Sequence, residues 1–320
     1  SLQMMSKKER HQQEALWELI HTELSYMKRL RVITDLVIAG LLNLHLSGHL
    51  LEVRPELLFS NIPDIIRSHR AFWQEVMSPM LQEVRLTGKP FDPMWLQHGF
   101  LTFSERFHPY LKYCLEEENM TEFARSQIES NPRFHMFMSW VESHRLAVRM
   151  RLGDMQAKPH QRITKYPLLL QAILKRTEHA HTRLAVQRML DSVSSFLDSV
   201  NCYLQSMDEQ SSLYETASRI EGYDLLERIS EDVERQVREF CQIDLTRPMK
   251  GVGPTHIRKL LLEETLKIKE KKDSKVEVVA LLFSDVLLLT KRQRKSNRLR
   301  VTRPPLAIEH AHCRPLRDTS

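Results

Sequence analysis

Fifteen histidines and forty-one carboxylates in 320 residues are enough to suggest metal or acid–base chemistry, so their spacing is the first question. His179/His181 and His310/His312 are i, i+2 pairs with no cysteine or carboxylate at ligand spacing, which does not make a zinc site. Glu116, Glu117 and Glu118 are consecutive and read as a charged helix end. No HExxH or GxSxG occurs, and no Ser/His/Asp set has the context of a triad. Gly251 and Gly253 make the only GxG, and no GxxxxGK follows, so a P-loop is excluded. None of these sets supports a catalytic reading, and no metal or cofactor is expected.

What remains is charge. From Arg247 onward there are 18 Lys+Arg and 8 Asp+Glu, a net of +10; the preceding residues hold 29 basic and 33 acidic side chains, a net of −4. Six of the ten residues from Lys291 to Arg300 are basic. A mildly acidic body with a strongly basic end points to an anionic partner for that end, either membrane headgroups or nucleic acid.

The elements that must position these charges are mostly helices. Only 8 glycines stand against 46 leucines, a balance that favours long helix, because glycine costs about 1 kcal/mol per interior position. Apolar residues at three- and four-residue steps (Leu16, Ile20, Leu24, Met27, Leu30) predict one helix over 9–46. Helical patterns follow over 55–84, with Pro63 and Pro79 marking a kink or break, over 94–118, and over 121–150 with an interruption at Asn131-Pro132. Lys158-Pro159 is expected to open a helix to Arg176 with a bend at Pro167, and a last long helix starts at Thr182 and reaches Gln210 or beyond. Beyond a Pro/Gly linker at 249–254, strands are predicted at Leu260–Lys269 and within Val276–Thr290, turning at Ser284-Asp285, with another at Arg300–Ile308. The division expected is 9–210 as a helical domain, 211–253 as a helical or linker segment, and 254–320 as a β-domain too short to close. Four cysteines without CxxC spacing are expected as free thiols in a reducing cytoplasm, and the chain reads as a piece of a longer one.

Three strings carry a resemblance. KPHQRITKYPLLL (Lys158–Leu170) resembles the third conserved region of the Dbl-homology (DH) domain of Rho-family guanine-nucleotide exchange factors. TELSYMKRL (Thr22–Leu30) is similar to the first conserved region, and ELLFSNIPDI (Glu56–Ile65) to the segment that opens the second helix. The likeness runs through residues 10–210, and LLFSDVLLLTKR resembles the early strands of the pleckstrin-homology (PH) domain that follows. KPHQR, with His160 where valine is commoner, and the later RPPL look most like the pleckstrin-homology-containing family G branch. The implied fold is mainly α: an elongated DH-type bundle, then the first strands of a truncated PH-type β-domain.

The resemblance implies a guanine-nucleotide exchange factor that makes and breaks no covalent bond and promotes GDP release by remodelling the two switch segments of a Rho-family GTPase. RhoA-type is favoured and Rac-type is open. Carried over by position, the contact residues are Glu23, Lys165 and Asn201, with Glu23 expected on the rim of the apolar stripe, where Glu23→Ala would abolish exchange and leave the melting point unchanged. Gln161 and Arg162 either brace the bundle or meet the partner, while Gln171, Lys175 and Arg176 are candidates for GTPase selectivity. Lys267, Lys269, Lys291, Arg292, Arg294 and Lys295 are candidates for weak attraction to anionic lipid. The expected second strand lacks the basic pair of a tight phosphoinositide site. Nucleic acid is disfavoured because no aromatic residues interleave the charges. The alternative is a non-catalytic helical scaffold with a basic, membrane-facing PH-like tail. The expected location is the cytoplasm, with recruitment to the membrane or cortical actin cytoskeleton.

Overall fold

The computed structural model describes residues 5–223, 245–247, 257–269, 275–293 and 296–312. They fall into two compact units, Ser1–Leu204 and Gln205–Ser320.

The first unit is helical. Ser6 and Glu9 cap each other's backbone N–H groups to start α1 (Lys7–Val32), with Ser6 N to Glu9 Oε2 at 2.7 Å and Glu9 N to Ser6 Oγ at 3.1 Å. A π-helical turn over Ile33–Ile38 joins α1 to α2 (Ala39–Leu46), so the helix expected over 9–46 is continuous but changes register near its end. After α3 (Pro55–Phe59) come α4 (Ile62–Phe72), a π turn at Trp73–Met77 and α5 (Ser78–Thr87). Pro63 sits in the first turn of α4, where the missing N–H has no intrahelical partner to lose, and Pro79 directly follows the π turn inside a continuous helical run. The expected helix over 94–118 is instead broken into a 3-10 turn, α6 (Gln97–Leu101) and α7 (Phe103–Arg106), then α8 (Tyr110–Ser130). Asn131 Oδ1 caps α9 (Pro132–Ser143) by accepting from Phe134 N at 3.2 Å.

The next break corrects the expectation. Pro159 does not open a helix; it lies inside α10 (Leu152–Ile163), and α11 (Tyr166–Lys175) begins after Thr164-Lys165. Pro167 has no N–H for the Ile163 carbonyl, which favours a break there, although Pro159 is accommodated inside α10. Pro167 then occupies the first turn of α11 rather than a bend within a longer helix. The last helix, α12 (Ala180–Arg219), extends into residues expected as linker.

The core of this unit is aromatic at its centre. Phe72 and Phe100 meet at 5.2 Å between centroids, Phe103 and Tyr166 at 5.3 Å, and Phe103 and Phe196 at 5.7 Å. These edge-to-face contacts join α4, α6, α7, α11 and α12. Gly99 is buried against Val76, and a Cβ there would overlap the valine side chain.

The second unit holds a sheet of order β1-β5-β4-β3-β2, with β6 also on β4. The strands are β1 (Ile220–Tyr223), β2 (Leu260–Lys269), β3 (Lys275–Phe283), β4 (Val286–Arg292), β5 (Leu299–Val301) and β6 (Leu306–Ala307). The β3–β4 pair turns at Ser284-Asp285, as the sequence predicts. In place of one strand over Arg300–Ile308 there are two short ones and a 3-10 turn. Strand β1, parallel to β5, falls where a helix or linker was expected, because four residues are too few to show a period of two. Leu213 of α12 packs with Val279, Leu281, Phe283, Val286 and Leu288. Arg258, enclosed beside this core, donates through Nε to Asp285 Oδ1 at 2.7 Å, through Nη2 to Oδ2 at 2.8 Å, and through Nη1 to the Leu245 carbonyl at 2.9 Å. Among the described residues no helix is long and apolar enough to cross a membrane.

Candidate functional site

The buried arc of α1 runs through Leu16, Leu19, Ile20, Glu23, Tyr26 and Leu30. Glu23 therefore stands inside the apolar stripe and not on its rim; its exposure is 0%. Both oxygens are occupied by its own chain. Oε2 accepts from Arg162 Nε at 3.0 Å, from Arg162 Nη2 at 2.5 Å and from the Tyr166 hydroxyl at 2.6 Å. Oε1 lies 2.6 Å from His69 Nδ1.

The network continues outward from these partners. His69 Nε2 is 2.8 Å from the Tyr110 hydroxyl, which is 3.1 Å from that of Tyr26. Both ring nitrogens of His69 are therefore engaged, one at Glu23 and one at Tyr110. Arg162 also donates to Thr22 Oγ1 at 3.0 Å, and its guanidinium lies 4.4 Å from the centre of the Tyr166 ring. Burial alone would raise the Glu23 pKa, but His69 and the Arg162 cation outweigh it and bring it down to about 2. Burial pushes the hydroxyls of Tyr26, Tyr110 and Tyr166 well above the usual tyrosine value. An ionised, fully bonded carboxylate thus clamps α1 to α4, α10 and α11. Of the two roles open to Arg162, the structure assigns bracing; Gln161 instead accepts from Lys158 Nζ at 3.1 Å on the surface.

The break between α10 and α11 leaves Lys165 half-exposed directly outside this network. Its Nζ lies 4.0 Å from Glu18 Oε1, and Glu18 is also half-exposed. Glu18 sits on the solvent side of α1, five residues (about 140° around the helix) from Glu23. Beside them a groove of about 310 Å³ is lined by His21, Thr22, Ser25, Arg29, Lys158 and Lys165 among others, with no carboxylate in its wall. Asn201 is exposed on α12 one residue after buried Val200. Phe196, on the same helix, packs on Phe103, which packs on Tyr166, so one aromatic cluster underlies both Lys165 and the α12 segment carrying Asn201.

Sequence reasoning missed Glu18, although the spacing contained the signal. The steps Leu16, Ile20, Glu23, Leu30 put Glu23 in the stripe, while Glu18 falls opposite it.

On α11, Leu168, Gln171 and Lys175 are exposed along one stripe. Arg176 differs: its Nη1 donates to the His11 carbonyl at 3.2 Å and ties the end of α11 to the start of α1. In the second unit Lys267, Lys291 and Arg292 are exposed. Lys269 ends β2 with its Cα opposite that of Lys275, and Arg294 and Lys295 lie outside the described residues, as do Cys241 and Cys313. Cys114 and Cys202 are free thiols. No cluster among the described residues could hold a metal ion.

Comparison with known proteins places these helices. A RhoGEF domain model matches residues 15–201. The chain is 51% identical over 314 residues to pleckstrin homology domain-containing family G member 6 of Homo sapiens, covering 98% of this chain and 40% of that protein. It is 45% identical over 314 residues to family G member 5 of Rattus norvegicus, covering 98% of this chain and 30% of that one. The chain thus spans two fifths or less of the length of these relatives. The solved complex of PDZ-RhoGEF DH/PH domains with GTP-γ-S-activated RhoA matches with a TM-score of 0.70 at 25% identity, covering 95% of this chain and 82% of that chain. The DH/PH domains of p115-RhoGEF match with a TM-score of 0.62 at 25% identity, covering 96% of this chain and 82% of that one. A helical bundle followed by a short antiparallel sheet is the architecture of these DH/PH structures, and the family model spans the helices that carry Glu18, Lys165 and Asn201. The chain belongs to the RhoGEF domain family.

Proposed function

We propose that the chain is a guanine-nucleotide exchange factor for a Rho-family GTPase of RhoA type, a catalyst of nucleotide release and not a bond-making enzyme. The observation that carries this is the exposed Glu18–Lys165 pair, fixed from behind by the buried Glu23–Arg162–Tyr166–His69 network. A solved complex of a related DH/PH protein with RhoA supports the choice of partner.

Such a surface releases GDP by holding the switch segments in a form that binds nucleotide poorly. By linkage, whatever factor it removes from nucleotide affinity it gains in its own affinity for the empty GTPase. A thousandfold faster release needs about 4 kcal/mol of preferential stabilisation. At 4.0 Å the Glu18–Lys165 pair is weakly engaged, so either group can turn to a partner at little cost. In this reading Lys165 and Asn201 contact the GTPase, as does Glu18, while Glu23 positions them. Gln171 and Lys175 on the exposed stripe of α11 read the partner's identity, and Arg176 sets the end of that helix.

The division of labour follows the sequence: 9–210 carries exchange, 211–253 connects, and 254–320 forms the first part of a PH-type domain whose Lys267, Lys291 and Arg292 draw it weakly to anionic lipid. Cytoplasmic residence with recruitment to the membrane or cortical cytoskeleton fits that reading. The test is release of fluorescent GDP from RhoA, Rac and their relatives with and without the chain. Acceleration on RhoA-type members is expected. Binding of nucleotide-free GTPase without any acceleration would favour a non-catalytic scaffold instead.

A further inference from the structure

The junction between α9 and α10 has a composition unlike the rest of the helical unit. Along α9, Met136 and Trp140 lie four residues apart on the solvent side and are 68% and 51% exposed. The chain then turns through a 3-10 segment, Arg145–Ala147, in which Leu146 is 53% exposed, and Val148 beyond it is 77% exposed. These residues are held in place. Trp140 contacts His144 at 5.7 Å and Phe137 at 6.1 Å between ring centroids, and His144 Nδ1 accepts from Leu146 N at 3.3 Å. Val148 is fixed outward at φ +49°, a region that β-branched residues avoid, while Ala147 before it and Met150 after it are buried. The fold therefore presents a large apolar tip to solvent on an ordered frame.

The chain around that tip is rich in arginine. Residues 132–151 contain Arg133, Arg145, Arg149 and Arg151, all exposed, and a single carboxylate, Glu142. Glu142 is engaged with the Leu152 N–H at 3.1 Å. Arg145 and Arg149 form no ion pair among the described residues. Apolar side chains including a tryptophan, flanked by the unpaired Arg145 and Arg149, match the boundary between acyl chains and anionic headgroups. A protein partner or second copy would need acidic residues placed to meet Arg145 and Arg149, and a bilayer supplies that charge without geometric demands. Fourteen residues separate Arg151 from Lys165, about 20 Å along α10, so this surface lies apart from the Glu18–Lys165 face.

We propose that the α9–α10 junction is a docking surface for an anionic phospholipid bilayer, with Trp140, Leu146 and Val148 entering the interface and Arg145 and Arg149 on headgroup phosphates. It is independent of the lysines and arginines of the second unit and of the exchange reading.

The test uses the whole chain in a Lys291→Glu/Arg292→Glu background, which weakens the other basic cluster. Vesicles of phosphatidylcholine with about 30% phosphatidylserine should bind it, and pure phosphatidylcholine should not. Arg145→Glu/Arg149→Glu should lower binding by at least about tenfold. Lipids brominated on the acyl chain should quench tryptophan fluorescence, and Trp140→Phe should remove that quenching. Circular-dichroism melts in vesicle-free solution should be the same for all variants, which shows them folded. Unchanged vesicle binding on charge reversal, or no quenching assignable to Trp140, overturns the proposal. So does a change in oligomeric state on Trp140→Asp, which would assign the surface to a second copy of the chain.

Discussion

Arg162 donates two hydrogen bonds to one oxygen of Glu23, joining residues 139 positions apart in the sequence inside a core where both are almost wholly enclosed. A buried pair of this kind gives little net stability against an apolar pair, but loss of one partner strands the other charge. Glu23→Leu or Arg162→Met alone should lower stability by about 3–5 kcal/mol. The double variant Glu23→Leu/Arg162→Met should recover a large part of that loss. Denaturant unfolding of the four species measures the coupling. Additive losses would show that the two side chains act separately.

The same pair predicts a pH window. The Glu23 pKa is depressed in the fold to about 2 from an ordinary 4.5, so its stabilising effect is complete above pH 4.5 and fades as pH falls toward 2. The stability difference between wild type and Glu23→Gln should be constant near neutrality and shrink across that window. Urea midpoints at pH 7, 4 and 3 read it. A difference that grew on acidification would have the wrong sign.

Gly99 makes a packing prediction. Gly99→Ala places a methyl group into Val76, which is part of the core, and should cost about 1–3 kcal/mol. Val76→Ala added to it should relieve part of the overlap, so the double variant should melt higher than additivity allows. Thermal melts of the three variants check this.

In the second unit Arg258 is enclosed, with a bidentate bond to Asp285 at the β3–β4 turn. Arg258→Met removes the guanidinium from Asp285 and from the Leu245 carbonyl and should destabilise the sheet by about 3 kcal/mol or more. Amide exchange should rise across β3 and β4. Protection of the amides in α1 and α10 should stay as it was.

The sequence made the helices legible through their apolar period and the β3–β4 turn through its Ser-Asp break. It concealed features that depend on distant residues. Pro159 looked like a helix start, but it is accommodated inside α10, and the break falls where Pro167 has no N–H for the Ile163 carbonyl. Glu23 looked like a surface contact because nothing local announces that Arg162, Tyr166 and His69 converge on it from three other helices. Lys165 and Asn201 were singled out by the resemblance of their motifs, and both are exposed, as a contact role requires. Glu18 needed only the helical wheel of α1, read against Glu23.

The central claim is that exchange is carried by the exposed face and that Glu23 supports it from within. The most direct measurement is the rate of GDP release from RhoA by Glu18→Ala, set against its melting temperature. The account predicts a loss of about thirtyfold or more in rate, equivalent to about 2 kcal/mol, with an unchanged melting temperature. Full activity in Glu18→Ala would contradict it and return the contact role to a residue elsewhere on the bundle.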